Sequence, residues 1–367
     1  GKDSMSSHRQ FDCLVVGGGL IGMLTARELA QAGLSIGLLE RGETGRESTW
    51  AGGGILSPLY PWRYPAAVSA LASWGQARYP ALAEALLAES GIDPEYQHSG
   101  LLILDTEDAE QAQRWAVEWQ RSLELVEEAQ IREIEPALGD VPPQAVWLPE
   151  VGQMRNPRLA RALRKSIEKL GVNLVEHTPV NGLVLGENGV HGVVTEQGEF
   201  NAERVVIAGG AWSARLLEST AMTLPVRPVR GQMILYRAEP NVVQRIVLSR
   251  DRYVIPRRDG RILVGSTTEE VGFDKSTTPA AMQELESEAC RLIPALADYE
   301  IEHHWAGLRP GSPNGIPYIL QHPRIEGLFI NTGHFRNGVV LGLASARLLA
   351  DMLLGQQPIL DSTPYSG

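Results

Sequence analysis

The chain has 367 residues, 43% hydrophobic and 21% charged, which suits an ordinary soluble globular protein of two or three domains with a large core. Its formal net charge of −11 runs against a nucleic-acid footprint, which needs a basic face. The two cysteines, Cys13 and Cys290, exclude a disulfide framework, and no uninterrupted apolar stretch reads as long enough to span a bilayer.

Residues 1–8 read as a tag or a disordered lead without a signal-peptide pattern, so the expected location is cytoplasmic. Residues 11–16 are an apolar run with Cys13 as a small core residue. Residues 20–32 follow with helical spacing, Gly33 closes that helix, and residues 34–40 read as the next buried strand. This is one strand–helix–strand unit of a parallel sheet.

Between strand and helix lies Gly17-Gly18-Gly19-Leu20-Ile21-Gly22, a G-x-G-x-x-G loop. Its first glycine permits a tight turn and its second lets the backbone approach a pyrophosphate. Its third, Gly22, allows close helix–strand packing, and the helix N-terminus favours negative charge. Glu40 ends the second strand, about twenty residues on, where a carboxylate can accept from ribose hydroxyls. Arg41 follows, and Ser48-Thr49-Trp50-Ala51-Gly52-Gly53-Gly54, with Ile55 behind it, offers a second close-approach loop. Small residues and hydroxyls there suit a cofactor running extended along the sheet, which favours FAD over NAD. Residues 55–63, with Tyr60 and Trp62, read as an entrance-lining loop, with a solvent loop or a subunit contact as alternatives.

Further along, residues 101–104 read as a strand and 157–170 as an amphipathic helix with Pro157 at its start. Residues 172–176 form a strand, and 182–200 form hairpins turning at Asn188-Gly189 and Gln197-Gly198. Residues 204–208 form a buried strand stopped by Gly209-Gly210. The segment continuing to Ala211-Trp212-Ser213 suits either a passing cofactor or a structural turn. Residues 226–237, 245–248, 252–256 and 261–266 are strands, the last two joined at Asp259-Gly260. Thr278-Pro279 starts a helix running to about residue 292. Residues 328–331 form a strand, and Asn331-Thr332-Gly333-His334-Phe335-Arg336-Asn337-Gly338-Val339 leads into a small-residue helix over 338–354. Backbone N–H groups at that helix start suit either a flavin edge on which negative charge appears or simply the close packing of a small-residue helix. The tail after Gly355 reads as frayed.

The expected fold is therefore α/β: a discontinuous Rossmann-like FAD-binding domain (residues 9–90, 145–220 and 300–360) carrying an inserted, mostly antiparallel β-sheet substrate-binding domain (residues 91–144 and 221–299). His303-His304 resembles a metal pair only superficially, since adjacent strand residues face opposite ways, so no metal is expected. No Ser-His-Asp set can be assembled.

Six segments, VVGGGLIG, STWAGGGIL, VVIAGGAWS, RYVIPRRDGRILVGST, WAGLRPGSPNGIPYI and GHFRNGVVL, lie in one order over nearly the whole chain. In this the chain resembles the D-amino-acid oxidase family of flavoenzymes, and within it the glycine-oxidase (ThiO-type) group. The resemblance implies non-covalent FAD, contacted by the residues above and by Val180, His334, Phe335, Asn337, Gly338 and Val339. It implies a substrate carboxylate held by Arg309, with Tyr253 and Arg336 beside it, and no side-chain catalyst. A guanidinium suits that task because its paired donors match two carboxylate oxygens. The implied reaction is oxidation of glycine, sarcosine and small D-amino acids by dioxygen, feeding thiamine (thiazole) biosynthesis. A homotetramer is implied as well. Sarcosine oxidase, D-amino-acid dehydrogenase and the flavin domain of a tRNA-modification protein are the rival readings. Cys290 is the one cysteine in the C-terminal half that a covalent flavin tether of the sarcosine-oxidase type would use.

Overall fold

The computed structural model describes residues 9–46 and 52–367, so Ser48, Thr49 and residues 1–8 lie outside the described residues. A six-stranded sheet is built around Cys13–Val16, which pairs in parallel with Ile36–Leu39 on one side and Val205–Ile207 on the other. Asn173–Val175 and Leu328–Thr332 extend the two flanks in parallel, and Tyr318–Gln321 closes one edge antiparallel. The three central strands are buried throughout, the pattern of a parallel sheet covered on both faces. Cys13 and Val15 point to one side, where helices Leu20–Gln31, Ala66–Ser90, Asn156–Lys169 and Gly338–Leu354 pack. Leu14 and Val16 point to the other, into Val190, Val193 and Phe200 of a three-stranded sheet.

An eight-stranded, mostly antiparallel sheet forms the second body, its one parallel contact joining Ile246–Ser249 to Leu101–Ile103. Alternate residues of its strands feed two cores. Ile234, Tyr236, Val247 and Val254 pack under the helix Pro279–Leu292, which Thr278 caps by accepting from the Ala281 N–H. Met233, Leu248, Tyr253 and Ile255 face the other way, toward Ile55, Leu59, Tyr60 and Trp62.

Several expectations change. The strands Gln144–Leu148 and Glu300–Gly311 hydrogen-bond into the eight-stranded sheet, whereas the boundaries expected at residues 145 and 300 place nearly all of the first and the whole of the second with the parallel sheet. The longest helix, Ala66–Ser90, escapes the sequence reading, and Pro80 in its middle is a breaker signal that tertiary packing overrides. The tail is not frayed: Tyr365 is 1% exposed and its hydroxyl donates to the Ala67 carbonyl at 2.6 Å. By length and composition one helix among the described residues is apolar enough to cross a membrane, Phe335–Leu354, with mean hydropathy 1.4. Most of it, 78%, is buried inside the protein, as befits a core helix rather than a lipid-facing one.

Candidate active site

A cleft of about 920 Å³ runs between the two bodies, along the carboxyl ends of the parallel strands. Gly17, directly after the first strand, has φ +112°, a conformation open to glycine and strained for other residues. A Cβ there would also lie 2.5 Å from the Gly209 backbone, because two strand ends converge at this point. Gly22 is not part of the cleft wall. A Cβ on it would meet the Gly17 carbonyl at 1.8 Å, so its absence lets the helix seat against the loop.

Of the residues singled out in the sequence, Gly17, Gly19, Leu20, Ile21, Glu40, Arg41, Gly52, Gly53, Gly54, Ile55, Gly209 and Trp212 line this cleft. So do Tyr253, Arg309 and the run from His334 to Val339. Val180, at the start of a strand in the three-stranded sheet, does not. Glu40 accepts from the N–H groups of Gly18 (3.0 Å) and Gly42 (2.6 Å), which hold its carboxylate at the strand end. The Arg41 guanidinium lies 3.9 Å over the Trp212 ring, which in turn packs on Phe273 at 3.9 Å. Residues 55–63 are a wall rather than an entrance loop. Ile55, Ser57 and Leu59 face the cleft, whereas Tyr60 and Trp62 are each 4% exposed and packed behind it.

Tyr253 and Arg309 reach the cleft from two strands of the second body, separated in the sheet by Arg227–Arg237 and Arg261–Gly265, and each lies across glycine. The Tyr253 ring covers Gly265, its partner in register, so that a Cβ there would touch the hydroxyl at 2.5 Å. The Arg309 guanidinium covers Gly231, where a Cβ would sit 2.2 Å from Nη2. Arg309 Nη2 donates to Ser266 Oγ at 2.6 Å and Nη1 to the Thr267 carbonyl at 3.2 Å. Burial pulls the guanidinium down to about 10, with Tyr253 partly offsetting and Arg336 reinforcing the effect. It therefore stays cationic at neutral pH. Arg336, 13% exposed, makes a two-point pair with Asp251 at 3.2 and 3.0 Å. Burial alone would lower its pKa, but the Asp251 charge overrides burial and the net shift is upward. Sequence reasoning missed Asp251, Ser266 and Thr267, although RYVIPRRDGRILVGST contained the last two.

The third wall carries unsatisfied polarity. Asn331 Oδ1, His334 Nδ1 and Asn337 Nδ2 are buried without a hydrogen-bond partner, around the start of the helix Gly338–Leu354. Such groups cost free energy until something pairs with them. His334 Nε2 lies 2.9 Å from Ser345 Oγ, whose own hydroxyl donates to the Leu341 carbonyl. That arrangement assigns the ring proton to Nε2 and leaves Nδ1 an acceptor. Burial pushes His334 down to about 3, so the ring is neutral. Cys290 lies elsewhere: its Sγ is 3.9 Å from the Tyr236 hydroxyl, on the face of the second sheet turned away from the cleft. Among the described residues no group of His, Cys, Asp or Glu is arranged to hold a metal ion.

A glycine loop at a parallel sheet, facing an antiparallel sheet that presents guanidinium and phenol groups across one cleft, defines a dinucleotide-dependent enzyme acting on a small anionic substrate. The family described as FAD dependent oxidoreductase (DAO) matches residues 12–352, and the chain belongs to it. It is 52% identical to the glycine oxidase of Pseudomonas aeruginosa, over 96% of this chain and 97% of that protein. It is 34% identical to the bifunctional protein ThiO/ThiG of Synechocystis over 94% of this chain, which spans 52% of that longer protein. The crystal structure of glycine oxidase from Geobacillus kaustophilus superposes with a TM-score of 0.90 at 31% identity, covering 98% of both chains.

FAD is therefore the cofactor class, and the cleft fits it. The loop at Gly17 and the helix start at Leu20 suit a pyrophosphate, and Glu40 suits a ribose. The orphaned Asn331, His334 and Asn337 groups offer both acceptors and donors to a heterocycle that carries both.

Proposed function

We propose that this protein is a glycine oxidase, converting glycine, dioxygen and water to glyoxylate, ammonia and hydrogen peroxide. Sarcosine and small D-amino acids are accepted too, and the product supplies the thiazole branch of thiamine formation. The observation that carries the reading is the convergence of Arg309 and Tyr253 on one end of a cleft whose other walls suit FAD. The relatives named glycine oxidase and ThiO/ThiG support the choice of glycine and of the pathway.

Bound FAD supplies the redox chemistry, taking two electrons from the substrate and passing them to dioxygen. The chain supplies orientation. Arg309, held by Ser266 and Thr267, forks onto the substrate carboxylate, and the Tyr253 hydroxyl donates to the same group. That grip fixes where Cα–H points, a positional effect able to lower a barrier by several kcal/mol, on the order of 7 or more. No side chain acts as base in this reading, since an amine that enters neutral needs none. The six-stranded body is the FAD domain and the eight-stranded body the substrate domain. The flavin is held non-covalently, the enzyme is a homotetramer like the glycine-oxidase group it resembles, and it works in the cytoplasm.

Peroxide release with glycine, sarcosine, D-alanine and D-proline tests the reading, alongside light scattering for the oligomer. Turnover of all four with appreciable activity on glycine is expected. Activity on D-alanine with none on glycine would rule the substrate out, and dye reduction without peroxide would make the enzyme a dehydrogenase.

A further inference from the structure

Two guanidinium groups, Arg309 and Arg336, line the substrate end of the cleft, yet glycine offers one carboxylate. If Arg309 is taken by that carboxylate, as proposed above, the charge on Arg336 must be answered by the protein or by the substrate. Asp251 answers it, with both carboxylate oxygens on the two terminal nitrogens of Arg336.

The position of Asp251 is built rather than incidental. It lies at the tip of the hairpin joining Ile246–Ser249 to Arg252–Pro256, with Ser249 paired to Arg252. The two tip residues, Arg250 and Asp251, have φ of 49° and 64°, the left-handed pair of a tight two-residue turn. The tip is tied down from outside the hairpin. The Arg250 N–H donates to both oxygens of Asp105 at 3.2 Å, and the Asp251 N–H donates to the Tyr60 hydroxyl at 3.1 Å. Tyr60 in turn donates to Asp105. The packed wall at Tyr60 thus fixes the turn, and the turn fixes the carboxylate two residues before Tyr253.

We propose that Asp251 sets the number of substrate carboxylates the site accepts at one. With Asp251 ionised, Arg336 is neutralised in place and a second anionic arm on the substrate finds no cation to meet. Without it, two guanidiniums share one cavity and a dicarboxylic amino acid becomes the better match in charge. Asp251 is a positioning and specificity residue; it acts through Arg336 rather than on the reacting atoms. The effect appears as discrimination between substrates, because specificity is a difference of affinities.

The test compares kcat/KM for glycine and D-aspartate, read by peroxide release, in the FAD-loaded wild type and in Asp251→Asn. Asparagine keeps the shape and tolerates positive φ. The D-aspartate to glycine ratio is expected to rise roughly tenfold or more, carried by KM for D-aspartate. A merely structural role would lower turnover of both substrates together and leave the ratio where it was. A ratio within about twofold of the wild type, in a variant with normal flavin content, overturns the proposal.

If Asp251→Asn yields no folded holoenzyme, Arg336→Gln and the double variant D251N/R336Q decide. Arg336→Gln leaves Asp251 unpaired beside the glycine carboxylate and raises KM for glycine, and the double variant restores it. No recovery in the double variant overturns the assignment. A wild type that oxidises neither glycine nor any small amino acid overturns the glycine reading and this proposal together. Glycine oxidation with an unshifted ratio overturns only this one.

Discussion

Arg309 sits in WAGLRPG, a segment that carries a family resemblance, and an arginine in a strand means nothing alone. Its supports were illegible, since Ser266 and Thr267 meet it across a sheet register that no local pattern encodes. If Arg309 holds the substrate carboxylate as proposed, Arg309→Ala removes that grip while leaving the cofactor walls intact. KM for glycine is expected to rise by roughly two orders of magnitude or more with the yellow flavin retained, and steady-state kinetics with an absorbance spectrum check it. His334 shows the opposite kind of blindness, since its burial is a tertiary fact. A histidine held down to about 3 in the native state but ordinary when unfolded takes a proton only on unfolding. Its contribution to stability is therefore complete above about pH 6.5 and falls as pH drops toward 3, by up to roughly 1.4 kcal/mol per unit. Glu269, held down to about 2 by Arg230, loses stability in the same direction from about 4.5 downward. Between pH 6.5 and 4.5 the melting temperature of wild type should therefore fall more steeply than that of His334→Gln. Parallel slopes would contradict the burial argument.

Among elements, the nucleotide-side pieces were readable because strand, glycine loop, helix and acid follow one another within forty residues. Elements closed by distant partners were not. The helix Ala66–Ser90 carries Pro80, and the strand Glu300–Gly311 is specified by its long pairing with Arg227–Arg237 rather than by its own alternation. The tail is the plainest case. Its Gly, Pro and polar residues suggest fraying, yet Tyr365 pins it beneath the start of the long helix. Tyr365→Ala should cost about 3 kcal/mol, as large-to-small changes of buried aromatics do, and chemical denaturation of the holoenzyme measures it. A loss below about 0.5 kcal/mol would mean that the tail contributes no core.

For the molecule as a whole, two sheets face each other across one cleft, and two strands expected with the first pair into the second. Composition separates parallel from antiparallel pieces, but a strand at a domain border belongs to whichever sheet it hydrogen-bonds, which is a long-range fact. The placement of Cys290 on the outer face of the second sheet bears on the flavin linkage. Acid precipitation should leave the yellow chromophore in the supernatant; colour in the pellet would require a covalent bond somewhere else in the chain.

The glycines beneath the clamp make the pocket adjustable in one direction. Any side chain introduced at Gly231 or Gly265 can only push Arg309 or Tyr253 outward into the cleft, so changes from the sheet side narrow it. Room for a bulkier substrate has to be carved from the facing wall of Ile55, Ser57 and Leu59. A laboratory selection for larger amino acids should therefore gather its successful mutations in that wall and leave the sheet floor untouched.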